Sequence, residues 1–148
     1  NNCYRTIKIY KFVKRNHMKD VFELKIKVMA EDIDTLNHVN NVVYVKWMDR
    51  VAVAHWAFLT KNNALSEYVW VVLKHEIDYL KQAVLGDDIT VKTWVGETKG
   101  FKSERLMDFY KGSELLVKAK TVWGMLDAKN FKPARIRENV LNVLQPIK

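Results

Sequence analysis

A chain of 148 residues that is 49% hydrophobic and carries five tryptophans suits one packed domain and is no disordered polymer. Its single cysteine, Cys3, excludes an internal disulfide and a cysteine-based metal site, and fits a reducing compartment such as the cytoplasm. The formal charge of +8 points to an anionic partner, but residues 1–17 hold Arg5, Lys8, Lys11, Lys14 and Arg15 and no acid, so the body is only mildly basic.

That leader scatters its basic residues among apolar ones without an uninterrupted hydrophobic segment, which argues against a secretory signal. It reads as a basic N-terminal extension over 1–17, with Met18 opening a single domain over 18–148. No apolar run reaches the ~18 residues that a membrane span needs. From Val21 to Met29 the pattern alternates: Phe22, Leu24, Ile26 and Val28 point one way, Glu23, Lys25 and Lys27 the other, as in a half-buried strand. A loop dense in carboxylates and small polar groups follows at Glu31 and turns directly into an apolar helix.

Asn40 or Asn41 is the expected N-cap, since an asparagine oxygen accepts from the first free N–H groups. Beyond it Val43, Trp47, Val51, Ala54 and Phe58 form one stripe, and Tyr44, Met48, His55 and Leu59 the next. The combined face is wide enough to predict a mostly buried helix, ended by Lys61, Asn62 and Asn63. Strand-like runs then cover Tyr68–Tyr79, Ile89–Val95, Phe101–Tyr110 and Leu115–Leu126, punctuated by Gly86-Asp87, Gly100 and the hairpin signal Lys111-Gly112-Ser113. Pro133 stops the strands, and Arg137–Leu144 reads as a short terminal helix. The order is therefore one strand, one long buried helix and a meander of about four strands. It predicts an α+β fold with an antiparallel sheet covering an apolar helix. Trp47, Val51, Trp70, Val72, Ile77 and Tyr79 are read as core.

Chemistry concentrates ahead of the helix. A helix start offers unpaired N–H groups and a partial positive charge, and a carboxylate held beside them, Asp34, suits a base or nucleophile attacking a carbonyl carbon. By itself an aspartate in such a loop is more often a turn or cap residue. His38 follows four residues later, but no Gly-x-Ser-x-Gly elbow accompanies it, so a serine hydrolase reading fails. Asp32 is expected to be structural, and His55, on an apolar helical face, to be a satisfied core histidine. The histidines are too dispersed for a metal set.

The run Asp32-Ile33-Asp34-Thr35-Leu36-Asn37-His38-Val39-Asn40-Asn41, followed by Tyr44 and Trp47, resembles the acyl-CoA thioesterases of the 4-hydroxybenzoyl-CoA thioesterase type. The resemblance extends from about Phe22 to about Val140, takes in the Gly86-Asp87 turn and the Pro133-Ala134-Arg135-Ile136 segment, and leaves the leader outside. It implies the hotdog fold, a sheet wrapped around a central helix. It implies further that Asp34 is the catalytic carboxylate, attacking the thioester directly or activating a water, while a backbone N–H at or near Asn41 polarises the carbonyl.

On the same resemblance His38, Asn40 and Tyr44 position the loop or line the substrate, and His75 could line an acyl pocket beside the helix. Lys99 and Arg135, with Lys102 and Arg137 as neighbours, match basic contacts to the nucleotide of coenzyme A. The cofactor expectation is none, neither metal nor redox group, with coenzyme A present only as part of the substrate. The expected partners are the acyl-CoA and further copies of the chain, in a homodimer or homotetramer paired through its sheets with sites at the subunit boundary. The alternative is a non-catalytic acyl-CoA sensor or nucleic-acid-binding protein on the same fold. Only the basic leader favours it, without a helix-turn-helix or an aromatic-basic RNA motif, so no nucleic acid is expected. A hotdog dehydratase is the weaker enzymatic rival, because the Asp-to-Asn-Asn pattern looks hydrolytic.

Overall fold

Alternation of apolar and polar residues sets five long strands, and one asparagine sets the start of the main helix. The computed structural model describes residues 21–145 and the backbone of Ile9–Tyr10. In chain order these are β1 (Ile9–Tyr10), β2 (Phe22–Lys27), a 3₁₀ turn (Ala30–Asp32), α1 (Asn41–Leu59), β3 (Tyr68–Tyr79), β4 (Asp88–Lys99), β5 (Lys102–Lys111), β6 (Glu114–Asp127) and α2 (Glu138–Leu144). The expected boundary between a leader over 1–17 and a domain opened by Met18 lies outside the described residues. Of the leader only Ile9 and Tyr10 are described, paired with Leu24 and Glu23 of β2.

All neighbours in the sheet run antiparallel, in the order β1-β2-β4-β5-β6-β3. The four-strand meander therefore needs correcting. Only β4, β5 and β6 form one; β3 leaves α1, crosses to the far edge and pairs with β6, Tyr68 opposite Asp127 and Tyr79 opposite Val117. Alternation fixes which face of a strand is apolar but says nothing about which strand lies beside it. The β5–β6 hairpin turns at Gly112, whose φ of 59° is one that a side chain disfavours.

α1 contains many β-branched residues, poor helix formers in isolation. It is held by packing and by its cap: Asn40 Oδ1 accepts from the Val42 N–H at 3.0 Å. Tyr44, Trp47, Met48, Val51, Ala52 and His55 are buried against the sheet. The expectation of a mostly buried helix is corrected here, because the sheet covers one side only and leaves Val42 at 61% and Val53 at 60% exposure. Of the residues read as core, Trp47 and Val51 are buried, Trp70 and Ile77 half-buried, and Val72 and Tyr79 exposed. A bulge between Val72 and Lys74 interrupts the alternation of β3, so Val71, Val72 and Leu73 are all left in solvent, and Tyr79 sits at the end of an edge strand.

Two apolar clusters result. One, under the first part of α1, joins Leu24, Trp47, Met48, Val91, Met107 and Phe109; the other joins Leu65, Val95, Met125 and Ile136 to Val140 and Leu144 of α2. Among the described residues no helix is long and apolar enough to cross a membrane.

Candidate active site

The loop ahead of α1 is a miniature hairpin. Ile33 bridges Val39, the Asp34 N–H donates to the His38 carbonyl at 2.8 Å, and the Asn40 N–H donates to the Asp32 carbonyl at 2.9 Å. Asp34 shapes the tip, its Oδ1 accepting from the N–H groups of Leu36 at 2.9 Å and His38 at 3.2 Å. Its Oδ2 has no hydrogen-bond partner among the described residues, and the side chain is half-exposed. Thus one oxygen holds the turn while the other stays available for chemistry. Asp32, buried, accepts the Met29 N–H at 2.8 Å, the structural task expected of it.

A second turn anchors this hairpin. Val39 N–H donates to Ala83 O, Val28 N–H to Asp87 O, and Gly86 N–H to Val28 O. Burial alone would raise the Asp87 carboxyl, but the Val84 N–H and the Lys111 ammonium at 2.9 Å outweigh it and hold it below the ordinary range. The Asn41 N–H sits at the first helical position, where it has no intrahelical acceptor, and its carbonyl receives the Tyr79 hydroxyl at 3.1 Å. Tyr44 lies one turn inward, 2% exposed, edge-on to Trp47, Tyr79 and Phe109. Its hydroxyl is buried without a partner among the described residues, and burial, then Tyr79 and Asp87, push its pKa up to about 12, so it stays a neutral donor. The His38 Nδ1 is likewise buried and unpartnered among the described residues.

Asp34, His38, Asn40, Asn41 and Tyr44 are thus gathered at one end of the fold. The basic residues are gathered at the other. Lys99 and Lys102 face each other across the Gly100 turn, and the Ile136 N–H donates to the Gly100 carbonyl at 2.8 Å, bringing exposed Arg135 and Arg137 alongside. Lys102 lies over the Phe101 ring, 5.6 Å from its centre. β4 carries Asp88 opposite Lys27, next to the hairpin, and Lys99 at its far end, so the two clusters are separated by roughly 36 Å of extended strand. Within one chain they form two sites and not one.

A cavity of about 310 Å³ opens beside the second half of α1; Trp70 is on its walls, and His75, expected to line a pocket beside the helix, is not. Asp49, Trp56, Trp70, Ser103, Arg105 and Trp123 are among its walls, and it begins ~12 Å along α1 from Asn41. Asp34 is not among its walls. Arg105 escaped notice although its strand carried a signal: Ser103, Arg105, Met107 and Phe109 alternate on the inward face of β5, and a cation there breaks the apolar pattern.

Arg105 Nη1 donates to His55 Nδ1 at 2.7 Å and to Thr93 Oγ1 at 3.1 Å. The imidazole therefore carries its proton on Nε2. Burial, then the charge of Arg105, lower the His55 pKa to about 3, so His55 is the satisfied core histidine that was expected. His75 Nδ1 lies 2.8 Å from Thr121 Oγ1; burial lowers its pKa and Asp49 partly offsets this. Among the described residues no three His, Cys, Asp or Glu side chains converge as a metal ion requires.

The family model of the thioesterase-like superfamily matches residues 28–144. The chloroplastic acyl-(acyl-carrier-protein) hydrolase FATB3 of Cuphea viscosissima is 30% identical over 89 residues, 59% of this chain, which spans only 22% of that protein's length. YneP of Bacillus subtilis, whose name assigns it acyl-CoA thioesterase activity provisionally, is 27% identical over 122 residues, covering 80% of this chain and 88% of its own. A Staphylococcus aureus protein solved in complex with CoA superposes with a TM-score of 0.78 at 17% identity, over 88% of this chain and 85% of its own. That likeness shows the fold, a hotdog sheet around a helix.

Proposed function

Because this chain belongs to the thioesterase-like superfamily, we propose that it hydrolyses an acyl-CoA to a free acid and coenzyme A, with Asp34 as the reacting carboxylate. The observation that carries this reading is the division of labour in that side chain: Oδ1 is fixed by two backbone N–H groups while Oδ2 is unengaged and half-exposed. A carboxylate fixed in this way is oriented before substrate arrives. As general base, it takes a proton from water as the water oxygen bonds to the thioester carbon; the C–S bond then breaks and the thiolate leaves. As nucleophile, it forms the acyl–carboxylate bond itself and releases the thiolate first, and water then cleaves the anhydride. The names of the relatives, an acyl-carrier-protein hydrolase and an acyl-CoA thioesterase, support an acyl thioester as the substrate class.

The geometry also favours a site shared between copies. Asp34 stands at the hairpin tip, so along that ladder it is roughly 10 Å from the start of α1 in its own chain. A second copy's helix start can bring an N–H to the same carbonyl, and the cluster of Lys99, Lys102 and Arg135 can reach the nucleotide only if it too comes from another copy. The outer edge of β3, unpaired among the described residues and bearing exposed Val71, Val72 and Leu73, offers backbone groups and apolar surface for such pairing. Release of thiol from a panel of acyl-CoA esters tests the reading. The parent should turn over and Asp34→Asn should not; equal turnover by the two removes Asp34 from the mechanism.

A further inference from the structure

The cavity beside α1 holds a cation that its own fold does not neutralise. Arg105 is 7% exposed, yet both hydrogen bonds of its guanidinium go to neutral acceptors, His55 and Thr93. Among the described residues its Nε and Nη2 have no partner, and no carboxylate lies within ion-pair distance. Glu104, its neighbour in β5, pairs with Lys120 at 3.8 Å. Burial lowers the Arg105 pKa only to about 10, so the group stays charged at neutral pH. A buried charge with no counterion is costly. Fastening α1 to the sheet through His55 needs a donor, which a neutral amide would supply equally well; it does not need a charge. Trp70 and Trp123, also on the cavity walls, add two buried indole N–H groups without acceptors among the described residues. The remaining walls are mainly apolar and aromatic.

We infer that this cavity binds a small apolar ligand ending in a carboxylate, its body against Trp56, Trp70 and Trp123 and its charge on Arg105. Two sources share that chemistry: the distal carboxylate of a dicarboxylic acyl thioester, or the free acid that hydrolysis releases. The inference deepens the thioesterase reading and rests on it for the origin of the ligand, though not for binding itself. Asp49, on the α1 side of the cavity, disfavours a second negative charge there, and Glu104, the other acid on the walls, is paired with Lys120.

Titration of the full chain with benzoate, read by tryptophan fluorescence with benzamide as the uncharged control, tests the site directly. Benzoate should bind saturably and at least tenfold more tightly than benzamide. Arg105→Met should erase that preference, and Ala52→Leu, which fills the cavity and leaves Arg105 in place, should weaken both ligands at least tenfold. Equal binding of the two ligands, or benzoate affinity unchanged in Ala52→Leu, overturns the proposal whether or not Arg105→Met folds. Hydrolysis of glutaryl-CoA against pentanoyl-CoA separates the sources. A preference for glutaryl-CoA that Arg105→Met abolishes assigns the carboxylate to the substrate, and benzoate binding with no such preference assigns it to the released acid. Benzoate binding without hydrolysis of any thioester supports the cavity and breaks the thioesterase reading alone.

Discussion

In the hairpin ahead of α1, two backbone N–H groups converge on one oxygen of Asp34, and backbone bonds tie Asp34 to His38 and Asn40 to Asp32. Past two turns of the same helix, Arg105 sits in the interior with neutral acceptors on one nitrogen, and two indole N–H groups nearby have none among the described residues. The first region spends most of its backbone polar groups on its own geometry and, among the described residues, leaves over Asp34 Oδ2, His38 Nδ1 and the Tyr44 hydroxyl. The second keeps donors unspent around an empty volume. A loop can fix a reacting group because its hydrogen bonds are short-range, whereas a cavity that selects a ligand must leave bonds for that ligand to complete.

The comparison is most exposed to a pair of substitutions at Asp34. Asp34→Asn keeps an oxygen for Leu36 and His38 but not the charge, so turnover should fall by about 10²–10⁴ with the fold intact. Asp34→Ala removes that acceptor as well and should additionally lose about 1–2 kcal/mol of stability in denaturant titration. If both variants lose only stability, the carboxylate is a turn former and nothing more.

Next in size is a pH effect at the cavity end. His55 is held to about 3 in the fold, against an ordinary value of 6.5. The unfolded chain therefore binds a proton that the folded chain refuses, so stability is full above about 6.5 and drains away as pH falls toward 3. The loss should be on the order of a few kcal/mol between neutral pH and the acid end of that window. Urea midpoints across the range should show it, and His55→Gln, which keeps an acceptor for Arg105, should flatten this component. A parent midpoint that does not move places His55 outside the titrating groups. The smallest effect is local: Asn40→Ala removes the acceptor for Val42 N–H and should cost about 1 kcal/mol, lowering the melting temperature without changing the cavity's ligand preference.

What the amino-acid order revealed follows the range of the forces involved. The Asn40 cap, the span of α1, the Gly112 hairpin and the terminal helix each depend on contacts within a few residues, and each could be read. The Asp34 loop was legible for the same reason. The placement of β3 was not: His75 meets Thr121 across 46 positions, and no local pattern specifies that partner. Nor was the cavity, whose walls come from α1, α2 and four strands. Lys99 and Lys102 lie together because a single turn joins them, whereas Arg135 is brought beside that turn by the long-range Ile136–Gly100 hydrogen bond. Their distance from Asp34 emerged only once β4 was seen running its full length between the two clusters.

The seat of β3 beside β6 has a consequence for biosynthesis. A ribosome releases this twelve-residue, tryptophan- and valine-bearing strand well before its neighbour exists, since the whole of β4 and β5 must emerge in between. Until then the nascent polypeptide displays a sticky ribbon, one that chaperones would shield and that crowded polysomes could glue together. Slowing translation just ahead of Glu114 should therefore lower soluble yield more than the same pause placed after Asp127.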